Sequence, residues 1–149
     1  MRSFLACRRG AAAVEAALVL PLLISVGLAA ADAGWLFSET HRTKAGLAAG
    51  ARYLAKARVP TAVEADAENI AVTGRRTGGT ARVKGWTVAH VTVSYRTIDN
   101  STQAYTGPAT IRIVRLRSVR PYQGFGLLSL MGVGALNVAA VHEERWTGS

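Results

Sequence analysis

Residues 11–31 form an apolar run of 21 residues broken by a single charge, Glu15. As a helix, such a run is about 30 Å long, enough to cross the hydrocarbon core of a bilayer. Helical character continues beyond it. Residues 32–59 contain no proline and are rich in Ala and Leu, which favour helix. Phe37, Lys44, Leu47, Ala51, Leu54 and Arg58 recur near one face, giving an apolar stripe for packing. Trp35 falls where an interfacial aromatic belongs. Pro21 removes a backbone bond near Ala17 and loosens the helix there. Pro60 ends it, so one helix is predicted over residues 11–59. Ala30 with Gly34, and Gly46 with Gly50, have the small-residue spacing that lets helices approach closely.

The periodicity changes after Pro60. Thr61-Ala62-Val63-Glu64 has the form of a capping box and predicts a short helix to about Asn69. Gly74, Gly78 and Gly79 break regular structure, leaving a basic turn with Arg75, Arg76, Arg82 and Lys84. Apolar and polar residues alternate over 86–98 and again over 109–119, the pattern of half-buried strands. Asp99-Asn100-Ser101 supplies the turn between them. A shift of register near Val114 predicts a bulge. Residues 123–141 carry no charge and are long enough for a second span. Four glycines and Asn137 instead favour a turn or short helix over 127–131 and a last strand over 135–145. The expected class is α+β: a long N-terminal helix, a short helix and a small antiparallel sheet. Its parts are a basic leader (1–10), the transmembrane and extended helix (11–59) and an extracytoplasmic α+β domain (60–149).

Charge orients this arrangement. The chain carries a formal +9, and Arg2, Arg8 and Arg9 precede the apolar run with no acid among them. The positive-inside bias puts the N-terminus in the cytoplasm and everything after about Asp32 on the far side. The remaining basic residues are scattered and face away from the cytosol, which argues against nucleic acid as a partner. Cys7 is the only cysteine, so no disulfide forms within the chain, and only six residues precede it, too few for a lipoprotein signal. A secretory signal cut after Ala31 is the competing reading of the apolar run.

Glu15 is the chemical anomaly. An ionisable group within a span costs about 2.5–3.5 kcal/mol and calls for a partner. If the chain is cut after Gly10, the new α-amine of Ala11 lies one helical turn away and is largely protonated near neutral pH. A neighbouring subunit's amine would serve equally. Alternatively, Glu15 snorkels to the headgroups. No catalytic constellation stands out, and His41, His90 and His142 have no metal-ligand spacing. Neither metal nor cofactor is expected, and the chain is read as a non-enzyme. Asn100-Ser101-Thr102 matches a glycosylation sequon, a pattern of little weight.

The segment Arg8-Arg9-Gly10-Ala11-Ala12-Ala13-Val14-Glu15-Ala16-Ala17-Leu18-Val19-Leu20-Pro21-Leu22-Leu23 resembles the N-terminus of TadE-like minor pseudopilins of the tight-adherence (Flp, type IVc) pilus system. Residues 45–52 are similar to the Ala/Arg-rich helix that follows in that family. The resemblance implies cleavage by a prepilin peptidase after Gly10, with Ala11 as the new N-terminus and Glu15 as the acid at the fifth mature position. Ala16 stands where the family often has an aromatic residue. Implied partners are other pilin-like subunits, the Tad assembly machinery, the peptidase and the lipid bilayer. The implied location is the bacterial inner membrane with a periplasmic C-terminal domain, or the pilus itself. The alternative is an uncleaved, membrane-anchored periplasmic module whose basic sheet face (Arg112, Arg115, Arg117, Arg120) holds an anionic envelope component.

Overall fold

The computed structural model describes residues 8–124, 132 and 136–148, with the backbone alone for Arg8 and Arg9. Helix α1 runs over Arg8–Lys56. A 3-10 turn at Pro60–Val63 leads into α2, Glu64–Thr73. Three strands follow: β1 Val91–Asp99, β2 Thr110–Pro121 and β3 Asn137–Arg145. They form one antiparallel sheet in the order β1-β2-β3. The expected α+β layout of long helix, short helix and small sheet is the one observed.

The second half of α1 and all of α2 cover one face of this sheet. Leu47, Ala51 and Leu54 from α1, Ala67, Ala71 and Val72 from α2, and Val91, Val114 and Leu116 from the strands meet in one core around Trp86. The indole of Trp86 donates to Ser118 Oγ at 3.0 Å, which satisfies both buried polar groups. Gly46 and Gly50 sit where α1 touches α2. A Cβ on Gly50 would lie 2.6 Å from the Ala67 carbonyl oxygen and 2.9 Å from Leu116, and one on Gly46 would strike Ala71 and Trp86. The small-residue spacing at 46 and 50 therefore serves packing within the chain.

Several boundaries differ from the sequence reading. Helix α1 stops at Lys56 rather than 59, because the residue before a proline avoids helical geometry; Val59 has φ −124° and ψ 89°. The C-terminal segment satisfies carbonyls left open there, since the Thr147 amide donates to Ala55 O and the Trp146 indole to Ala57 O. The capping box does not form. No side chain caps α2, and Glu64 instead accepts a 2.7 Å bond from the Tyr95 hydroxyl. The helix also continues past Asn69 to Thr73, closed by Gly74 at φ 82°, a left-handed geometry suited to glycine.

The first strand begins at Val91 rather than 86, because Val88–His90 closes a 3-10 turn in which the Thr87 amide donates to His90 Nδ1. No bulge occurs near Val114: pairing to β1 and to β3 runs one residue against one throughout. The apparent shift of register arises because Ile111 is buried on the face opposite Val114 and Leu116, while Val119 is 40 % exposed. Arg120 then falls on the inner face, where it is buried. The turn or helix expected over 127–131 lies outside the described residues. Residues 137–141 pair with 117–121 of β2, so no continuous span runs over 123–141.

Candidate functional site

The part of α1 that precedes the domain is bare. Its helix is long and apolar enough to cross a membrane, with a mean hydropathy of 2.2 in its most apolar window and none of that window buried. Leu18 is 73 % exposed, and Leu20, Leu22, Leu23, Ile24 and Val26 are exposed around it. So large an apolar surface needs lipid or other apolar helices as its environment. Gly10, Ala11 and Glu15 all lie exposed on this segment, with nothing within 4 Å of a Cβ built on Gly10. Arg8 and Arg9 are in its first turn; Arg2 lies outside the described residues. Glu15 is four residues from Ala11, about 6 Å along the axis. It makes no ion pair or hydrogen bond with another described residue. In the uncut chain Ala11 is internal, so the α-amine required for the pairing does not exist.

Where α1 enters the domain, a buried polar seam replaces the apolar stripe. Asp32, Glu39 and Thr43 are buried, whereas Phe37 is 70 % exposed and Lys44 and Arg58 are also exposed. Arg120 Nη2 donates to Glu39 Oε2 at 2.7 Å, with both side chains almost wholly enclosed. The other Glu39 oxygen accepts from the Trp35 indole at 3.1 Å. One turn of sheet further, the Tyr122 hydroxyl is 2.6 Å from Asp32 Oδ1 and 2.9 Å from the Asp32 carbonyl oxygen. Burial first, and then the hydrogen bond to Asp32, raises the Tyr122 hydroxyl above the ordinary phenol range. The seam fixes the far end of β2 to the helix at its exit from the apolar run.

This seam was missed in the sequence, where Asp32 and Glu39 read only as flanking charges. The signal was present: continuing the stripe back from Leu54 and Leu47 in steps of three, four or seven reaches Thr43, Glu39 and Asp32. The basic sheet face also needs correction. In β2 successive side chains alternate between faces, so Arg112 and Arg120 belong to one set and Arg115 and Arg117 to the other. Arg120 is committed to Glu39, Arg112 lies 4.9 Å over the Trp146 ring, and Arg115 shares Glu143 with Arg96. The four do not form one surface.

The other candidate features have local tasks. Asn100 of the sequon is buried, its amide donating to the carbonyls of Tyr105 and Pro108. It organises the β1–β2 loop and is closed to glycosylation in the folded chain. Among the described residues no three His, Cys, Asp or Glu side chains gather as a metal would need.

Residues 10–52 match the family model described as TadE-like protein. No curated protein and no solved structure matches the chain. The match begins at Gly10, takes in the bare apolar segment and the helix side of the buried seam, and ends within the core-facing part of α1. Over residues 10–52, then, helix α1 is similar to the TadE-like protein family.

Proposed function

We propose that the protein is a minor pseudopilin that contributes to assembly of a tight-adherence pilus, after a prepilin peptidase cuts behind Gly10. The TadE-like match supports a role connected with Tad pilus systems. The observation that carries the finer reading is one carboxylate, Glu15, alone on a bare apolar helix and one turn beyond a glycine. Lipid gives that acid no partner, whereas cleavage creates a cation beside it. Two unit charges about 4 Å apart attract by roughly 4 kcal/mol at an effective dielectric of 20, comparable with the cost of placing the acid in the span.

In this reading the protein works by packing. The apolar segment anchors it in the inner membrane with the domain on the periplasmic side, and transfer to a filament exchanges lipid for neighbouring pilin-like helices. The Glu15–amine pair sets axial register during that exchange. No enzymatic step, cofactor or nucleic acid is involved. Glu15→Ala tests the reading: insertion into the membrane is retained, and recovery of the protein with pilus components is lost. Recovery at the wild-type level would overturn the pairing.

A further inference from the structure

A cleft of about 350 Å³ opens beside the seam, between α1, the loop after α2 and the end of β2. Its walls carry three cations, Arg42, Arg82 and Lys84, together with Glu39, the half-exposed ring of Trp35 and Gln123. Glu39 brings no free charge because it is held by Arg120 at 2.7 Å. The three cations have no acidic partner among the described residues, and all three are exposed. The cleft is therefore a concentrated positive site.

Its height on α1 identifies what it meets. Trp35, Glu39 and Arg42 lie four, eight and eleven residues past Ala31, the last residue of the apolar run. At 1.5 Å per residue these are about 6, 12 and 16 Å beyond the hydrocarbon edge. The headgroup layer occupies about the first 5–7 Å of that distance, so the Trp35 end of the cleft is in it. Side chains on a helix lean toward its N-terminus, which directs Arg42 down to the membrane. The Debye length of about 8 Å at physiological salt couples the remaining cations to the phosphate plane.

We propose that this cleft receives the headgroup of an anionic phospholipid in the leaflet where α1 leaves the bilayer, with Trp35 in the headgroup layer and Arg42, Arg82 and Lys84 attracting the phosphate from the solvent side. The inference rests on α1 spanning a bilayer through residues 11–31. A soluble anion would not need a cleft at this height, whereas a headgroup phosphate is delivered to it by the anchor.

The test uses the full-length protein reconstituted in phosphatidylcholine nanodiscs with or without phosphatidylglycerol, released and read by native mass spectrometry for retained lipid. One surface cation accounts for about a fivefold change in anionic-lipid affinity, so R42Q/K84Q is expected to lower phosphatidylglycerol retention about 25-fold. A charge-matched control, R75Q/R117Q, removes two exposed cations elsewhere and is expected to leave retention unchanged. Equal retention by wild type and R42Q/K84Q overturns the proposal, as does an equal fall in the control, which would mean bulk charge. Displacement of the lipid by millimolar inorganic phosphate would assign the cleft to free phosphate and overturn the lipid. Carbonate washing separates the two levels of inference. A wild-type protein stripped from the bilayer refutes the anchor, whereas one that stays embedded but retains no phosphatidylglycerol refutes only the cleft.

Discussion

At the residue scale, the Glu39–Arg120 pair is the most consequential contact that the chain makes outside its apolar core. Both side chains are enclosed, and Arg120 Nε has no partner among the described residues. Burial of the pair is costly, and removing one member strands the other. Glu39→Ala is therefore expected to destabilise the domain by about 3–5 kcal/mol, while Glu39→Leu combined with Arg120→Met recovers most of that loss. Thermal unfolding of the full-length protein in detergent, followed by near-ultraviolet circular dichroism, measures both. A double variant as unstable as the single one would contradict the assignment. Two tyrosines add a pH dependence. Tyr95 is raised by burial and then by its bond to Glu64, and Tyr122 by burial and then by Asp32. In the unfolded chain both ionise near pH 10. Raised folded values mean that the fold holds the protonated form, so their stabilisation is complete below about pH 10 and is lost as pH climbs toward the folded values. Stability is expected to fall progressively as pH rises above about 10, and the Tyr95→Phe/Tyr122→Phe pair flattens that fall. An identical slope in the variant would show that other groups titrate there.

At the scale of elements, the approach of α1 to α2 depends on having no side chain at Gly50. Alanine is a better helix former than glycine by about 1 kcal/mol, so Gly50→Ala would stabilise an isolated helix. Here the new methyl meets the Ala67 carbonyl oxygen and Leu116 at under 3 Å, a backbone atom on one side that cannot rotate away. The net change is expected to be a loss of about 1–3 kcal/mol. Gly34→Ala, with nothing within 4 Å, is expected to gain up to about 1 kcal/mol. Paired melting curves decide this, and a stabilised Gly50→Ala would mean that the helices are further apart than described. The same positions explain what the sequence disclosed. Local repeats were legible: alternation from Val91 to Tyr95 and the apolar spacing of Leu47, Ala51 and Leu54 gave the right faces. Long-range choices were not. Glu64 prefers Tyr95, 31 residues away, over its own helix end, and Arg120 is drawn inward by Glu39 across 81 residues. An arginine in an alternating strand reads as exposed unless the acid that meets it is known.

At the scale of the whole molecule, a single helix joins the bare apolar segment to a folded domain, and in the proposed membrane its orientation determines which of its ends a protease can reach. The orientation proposed from Arg2, Arg8 and Arg9 rests on charge bias, which acts through composition and not through contacts. The pairing proposed for Glu15 is legible only as a need, since the proposed partner would be made by cleavage or supplied by another subunit. Cys7 turns both questions into one measurement. It is the only thiol in the chain and lies on the leader side of Gly10. With the leader in the cytoplasm, a membrane-impermeant maleimide added to intact spheroplasts is expected to leave the precursor unlabelled, and to label it after permeabilisation. The processed form, having lost residues 1–10, is expected to take no label in either condition. Gly10→Leu, which blocks the cut, is expected to keep the full-length mass and the permeabilisation-dependent label. Label on the precursor in intact spheroplasts would reverse the topology. A functional, pilus-associated form that still carries the Cys7 label would mean that Glu15 is tolerated without a new amine at Ala11, leaving contact with a neighbouring subunit or the headgroup layer to stabilise its charge.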